Sequence, residues 1–254
     1  MSDEEKIKYL CQFMTEQRLQ LIDEKLKFRT RHITLVLEDI FQSQNGAACL
    51  RSAEAFGIQD IHVIENRNRF SIHKDVLRGA SKWLTIHRYN EEENNTSQCL
   101  SALVQKGYQL VATTPHTLHL TNEILTEDQQ TESNNNLAIS AHVPLHAFDV
   151  TPKIALMFGT EKTGLTQEAM EMAETFLTIP MTGFTESLNL SASAAIALYT
   201  LTHKLKRSMF KSALSHEETV QLRGEWIRKS LGYRLEKLER EYDRRNVCSE
   251  KSNK

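Results

Sequence analysis

The sequence predicts an α/β protein in which a parallel sheet is flanked by helices, with helical extensions at both ends of the chain. Short apolar runs rich in branched residues recur through the middle of the chain, and segments of helical character separate them. Strands that alternate with helices pair in parallel, because a crossover helix returns the chain to the same edge of the sheet. A length of 254 residues, 40% hydrophobic and 25% charged, suffices for one sizeable core plus extensions.

In chain order, residues 4–28 place Ile7, Leu10, Cys11, Met14, Leu19, Ile22 and Leu26 close to helical spacing, which predicts two short helices. ITLVLEDI (33–40) has the continuous apolar character of a strand buried on both faces. NGAACLRSAEAFG (45–57) reads as a small-residue helix with Asn45 as N-cap and Gly57 at its end. Strands follow at 61–65 and 84–89, then a helix near 95–106 that stops at Gly107 before a strand at 108–114. KIALMFG (153–159) predicts the next strand, 166–173 a helix, 175–180 another strand, and 188–205 a long helix capped by Ser187 or Asn189. The interval 116–152 exceeds an ordinary connection. Its polar middle, EDQQTESNNN, predicts a mobile insertion, acidic between about 120 and 145. A charged amphipathic helix pair is expected over about 213–246. The expected division is thus an N-terminal helical extension (1–30), a central α/β domain (31–205) and a basic C-terminal helical extension (206–254).

Net charge is −2, which does not by itself advertise a polyanionic partner. Its distribution is uneven: 18–32 carries a balance of +3 and 203–245 of +5, whereas 120–150 holds five acids and no Lys or Arg. Arg29, Arg31, Lys206, Arg207, Arg228 and Lys229 are the candidate RNA-binding cations, against the alternative of a simply solvated helical face. No apolar run approaches the roughly 18–20 residues of a membrane span. The charged N-terminus lacks a signal-peptide core, and the four cysteines show neither a CxxC pair nor His at zinc spacing. These features predict a cytoplasmic protein with free thiols, no metal and no membrane association.

Three segments put polar residues at the ends of apolar strands, where open α/β sheets bind ligands. Asn45 and Arg51, taken alone, read more simply as a capped helix with a surface arginine. The loop Gly159-Thr-Glu-Lys-Thr-Gly-Leu-Thr166 has Walker glycine spacing, but Leu165 stands where the phosphate-binding lysine is required. What remains is a glycine-bracketed loop offering the Glu161 carboxylate, or a mere tight turn. Ile179-Pro-Met-Thr-Gly-Phe-Thr-Glu-Ser-Leu-Asn-Leu-Ser191 opens the long small-residue helix, with a structural cap as the plain alternative. No GxGxxG, GxSxG or HExxH is present, so dinucleotide, hydrolase and zincin chemistry is unsupported.

Together, and in this order, the three segments resemble the motifs of the SPOUT superfamily and, within it, of the tRNA/rRNA ribose 2′-O-methyltransferase family. Asn45 with Arg51 matches the first motif, Phe158–Thr166 the second and Ile179–Ser191 the third, and the likeness spans 31–205. The resemblance implies a C-terminal trefoil knot and S-adenosylmethionine (AdoMet) held by the knot loops through Thr113, Gly159, Ile179, Met181 and Leu188. It also implies a homodimer whose active site borrows residues from the second subunit. The central role falls to Arg51, gripping an RNA phosphate and orienting the 2′-hydroxyl, while Asn45, Glu161, Ser187 and Asn189 hold Arg51 and the ligand loops. The flanking helices resemble those of members that methylate the tRNA D-loop guanosine at position 18. An rRNA substrate, or RNA binding without catalysis, are the rival readings. Gln44 stands where the tRNA members often carry His, and the acidic insertion is longer than theirs.

Overall fold

A computed structural model describes residues 3–70, 79–115, 141–208 and 212–252. They divide into two compact units, one of residues 31–212 and one in which 1–30 joins 213–254. Along the chain the elements are α1 (Asp3–Cys11), α2 (Glu16–Leu26), β1 (Ile33–Glu38), α3 (Ser43–Ala55), β2 (Asp60–Ile64) and β3 (Thr85–Tyr89). Then come α4 (Asn95–Gln105), β4 (Tyr108–Thr113), β5 (Ala141–Pro144), β6 (Lys153–Phe158) and α5 (Gln167–Met172). The chain closes with β7 (Thr175–Thr178), α6 (Leu190–Arg207), α7 (His216–Leu231) and α8 (Leu235–Ser252).

The larger unit is a seven-stranded sheet in the order β3-β2-β1-β6-β4-β7-β5, with every pairing parallel, as the sequence predicts. The pleat sends alternate residues to opposite faces. Ile33, Leu35 and Leu37 share one face with Leu156 and Phe158, and α3 and α6 cover it. Val36, Ala155, Met157 and Ala112 point the other way, into a second core closed by α4 and α5. Both faces are buried, which is why the central strands read as unbroken apolar runs.

Two expectations change here. The acidic insertion is expected over about 120–145, yet Ala141–Pro144, at its end, is an edge strand paired with β7 through Ala141↔Thr175 to Pro144↔Thr178. The polar middle of the expected insertion lies outside the described residues. The helix expected from Asn45 begins earlier, at Ser43, and Gln42 holds the N-cap position without a side-chain cap bond.

In the smaller unit α1 and α2 pack on α7 and α8 around Leu10, Ile22, Leu222, Trp226 and Ile227. Gly224 lets Ile7 approach, since a Cβ there would sit 3.2 Å from Ile7 Cδ1. A capping box, Ser215 with Glu218, starts α7. Among the described residues no helix is long and apolar enough to cross a membrane.

Candidate active site

Because all the strands run the same way, the C-terminal ends of β1, β4, β6 and β7 gather on one edge, and a cleft of about 630 Å³ opens there. The start of α3, the loop after β6 and the loop before α6 line it. Of the residues singled out in the sequence, Asn45, Glu161, Ser187 and Asn189 face this cleft, as do Thr113, Gly159, Ile179, Met181 and Leu188.

Asn45 joins the three segments. It is buried in the first turn of α3. Its amide Nδ2 donates to Glu161 Oε1 (2.9 Å) and to Gln42 Oε1 (3.1 Å), and its Oδ1 accepts from Asn189 Nδ2 (3.2 Å). The Gln42 backbone N–H gives Glu161 Oε1 a second donor at 3.3 Å. Asn189 in turn caps α6, its Oδ1 accepting from the Ser191 N–H (2.8 Å) and hydroxyl (2.6 Å). An uncharged side chain thus uses both of its donors and its acceptor to fix the geometry of a carboxylate and two helix starts. The same carboxylate helps keep the buried Cys49 thiol protonated: burial first, and then the Glu161 charge, push that thiol up to about 12.

The loop after β6 is closed upon itself. Thr160 and Gly164 exchange backbone hydrogen bonds (2.9 and 3.0 Å), and the hydroxyls of Thr160 and Thr163 lie 2.7 Å apart. Both glycines are required, for different reasons. A Cβ on Gly159 would lie 2.1 Å from the Gly164 carbonyl carbon, whereas Gly164 has φ +71°, in the left-handed region. The far end is anchored by Glu38, which accepts from the Thr166 N–H (2.8 Å) and hydroxyl (2.8 Å) and from the Thr96 hydroxyl (2.6 Å). Thr113 ties the end of β4 to β6 through Oγ1 to Met157 O, 2.7 Å. Glu38 and Gln42 belong to none of the three motif segments. The available signal was a carboxylate ending an otherwise apolar strand, four residues before Gln42.

Arg51 is not brought to the cleft. It is exposed on α3 and holds no partner among the described residues. Six residues at about 100° each carry it about 120° round the helix from Asn45. The candidate RNA-binding cations also separate. Lys206 and Arg207 are exposed at the end of α6. Arg29 must be withdrawn as a surface contact: it is only 4% exposed, with its guanidinium 5.0 Å over the Trp226 ring. Arg31 is engaged with Asp60 (2.9 Å), Arg228 with Asp3 and with Glu239 (3.6 Å), and Lys229 is half-buried.

Residues 32–199 match the model of the SpoU rRNA Methylase family. The chain belongs to that family. A tRNA (guanosine(18)-2′-O)-methyltransferase of Borreliella burgdorferi is 34% identical over 223 residues, 88% of this chain and 90% of that protein. Among solved structures, the TrmH/SpoU tRNA modifying enzyme of A. aeolicus shares the fold with a TM-score of 0.67 at 23% identity, covering 85% of this chain and 98% of that one. An AdoMet-bound rRNA methyltransferase from Sinorhizobium meliloti matches with a TM-score of 0.53 at 20% identity over 70% of this chain and 58% of that one. In this SpoU family member the family-model match ends within α6, eight residues before its last residue, Arg207, and contains all three cleft-lining segments.

Proposed function

We propose that this protein transfers the methyl group of AdoMet to the 2′-hydroxyl of a tRNA ribose, that of the D-loop guanosine at position 18, in the cytoplasm. The observation that carries this reading is the joining of three motif segments at one cleft through Asn45, in a chain whose relatives are named for that reaction. The cleft suits AdoMet. Its volume lies in the range of small-molecule sites, Gly159 brings bare main chain to the wall, and Ile179, Met181 and Leu188 offer apolar surface to an adenine. When bound, AdoMet supplies the electrophilic methyl group. Thr113, Gly159, Ile179, Met181 and Leu188 hold it, largely through the main chain.

Arg51 grips the RNA phosphate and orients the hydroxyl. A guanidinium keeps its proton up to about pH 12, so that phosphate or water takes the hydroxyl proton. Asn45, Glu161, Ser187 and Asn189 keep the loops in register. Arg51 faces away from its own cleft and serves that of a second subunit, which makes the homodimer the working form. The exposed Ile196 and Tyr199 on α6 supply apolar surface for that pairing. The C-terminal part of the sheet is threaded as the trefoil knot of the family, a reading supported by the place of β7 between the earlier strands β4 and β5. Catalysis resides in 31–205. The extensions, 1–30 and 206–254, engage tRNA, chiefly through Lys206 and Arg207. No metal takes part.

The test is incubation of purified protein with labelled AdoMet and separate tRNA and rRNA pools, with and without a chelator, followed by mapping of the methyl group. Label at the tRNA position, undiminished by chelator, supports the proposal; label confined to rRNA, or none, overturns it. Co-expression of Arg51→Ala with Glu161→Ala chains tests the dimer, because each heterodimer keeps one complete site. A dimer without recovered activity removes the shared site.

A further inference from the structure

A second cleft, of about 480 Å³, lies across one peptide bond from the first: Leu165 lines one and Thr166 the other. Its walls come from the ends of β1 and β2 and the starts of α4 and α5. Most of the polar side chains there are already spent. Asp39, held at φ 51° in the left-handed region, takes the N–H groups of Asn66, Arg67 and Asn68 on one carboxylate oxygen (2.7, 2.9 and 3.3 Å). Asn66 donates to Thr96 (2.8 Å), both threonine hydroxyls donate to Glu38, and Asn94 gives its amide to the two oxygens of Glu168 (3.0 and 2.8 Å). Two lining side chains have no partner among the described residues, and they are of opposite charge: the guanidinium of Arg67 and the carboxylate of Glu93. They share the cleft without pairing to each other. The result is a free donor fork and a free acceptor lining one cleft, with Arg67 on a loop whose backbone is clamped by a buried carboxylate.

We propose that this second cleft receives the guanine base of the target nucleotide, an assignment that rests on the tRNA-methylation reading above. Guanine presents adjacent N1–H and N2 amino donors on one edge and the O6 and N7 acceptors on another, so a carboxylate and a guanidinium together match it. Glu93 accepts from N1–H and N2, and Arg67 donates to O6 and N7. Adenine is disfavoured at both: it has no N1–H or 2-amino group for Glu93, and it offers Arg67 only N7, with an amino group where guanine has O6. Because most of the neighbouring polar groups are bonded within the protein, selectivity rests chiefly on these two residues. A base seated here leaves its ribose at the rim of the first cleft, where Leu165 and Thr166 divide the two. Unstacked RNA bases are commonly read in this way, on their hydrogen-bonding edges.

The test uses the full chain and tRNA transcripts carrying guanosine, inosine (no 2-amino group) or 7-deazaguanosine (no N7) at the target position. In the wild type each analogue is expected to lower kcat/KM for labelled-methyl transfer by about tenfold or more. Glu93→Ala is expected to abolish the preference for guanosine over inosine, and Arg67→Ala the preference over 7-deazaguanosine. Both side chains are exposed, so folding is expected to be unchanged. Preferences that persist in the variants overturn the site and leave the methylation reading standing. If no tRNA is methylated, that reading falls, and titration with GMP in the presence of saturating S-adenosylhomocysteine decides the site alone. Binding lost in both variants then supports it, and equal affinity in all three proteins, or no binding at millimolar GMP, overturns it.

Discussion

At the mouth of the first cleft a neutral amide, Asn45, organises a carboxylate and two helix starts, and the arginine of the same motif stands free on the surface of α3. In the terminal helical unit the arrangement is reversed. There the arginines do the internal bridging: Arg29 stacks on Trp226, Arg223 forms a fork with Asp23 (2.5 and 3.1 Å), and Arg228 spans Asp3 and Glu239. The contrast teaches that a cation counted in a sequence is available to RNA only if no acid or ring of its own chain has claimed it. By that criterion Arg51, Lys206 and Arg207 outrank Arg29, Arg223 and Arg228 of the helical unit.

The sharpest way to break this comparison is Arg51→Ala. Turnover is expected to fall at least about a hundredfold, roughly 3 kcal/mol, with AdoMet affinity unchanged by calorimetry. A variant with near-normal turnover removes Arg51 from the reaction. Next comes Gly159→Ala, whose methyl group would overlap the Gly164–Leu165 backbone. Overpacking of this kind costs about 1–3 kcal/mol, so the melting temperature is expected to drop by several degrees and AdoMet binding to weaken about tenfold or more. Unchanged cofactor binding would place the ligand elsewhere.

The free cations are tested by salt. Replacing Lys206 and Arg207 together by Ala is expected to flatten the log–log salt dependence of tRNA binding by about 1.4. Arg29→Met is expected to leave that slope alone and to cost about 1 kcal/mol of stability through its lost contact with Trp226. A slope altered by Arg29→Met would reverse the distinction drawn between the two classes of arginine.

The smallest effect concerns the far edge of the sheet. His62 is buried against His87 (4.6 Å between ring centroids), and burial first, then the His87 charge, push it down from 6.5 to about 3. A histidine depressed in the folded state binds its proton more readily when unfolded, so its contribution is present above pH 6.5 and is lost as pH falls toward 3. His62→Gln is therefore expected to make the melting temperature less sensitive to acid between pH 6.5 and 4. An identical pH profile in the variant would show that His62 does not govern that window.

Much of the fold was legible because its central strands are buried on both faces and bounded by glycine or polar residues. KIALMFG ends at the glycine that the following loop requires. β5 was not legible: four residues, Ala141–Pro144, gain strand character only by pairing with β7, and no local pattern announces a partner that lies 34 residues on. In the site, Asn45, Glu161 and Asn189 could be picked out by motif, but not that they bond to one another across more than a hundred residues. Gln42 escaped notice because the helix was expected to begin at Asn45. Arg29 misled because a charge balance carries no information about burial.

The position of β7 has a consequence for how the molecule comes into being. It is the last strand among the described residues, yet it sits between β4 and β5, both made before it. Until residues 175–178 arrive, those two neighbours carry open edges, and open edges are where strands from other molecules add. The pairing of Val111 with Thr175 also closes a loop of more than sixty residues, a contact of the kind that slows folding. A chain released early, before β7, therefore keeps these edges open and is exposed to aggregation through strands that the finished protein buries.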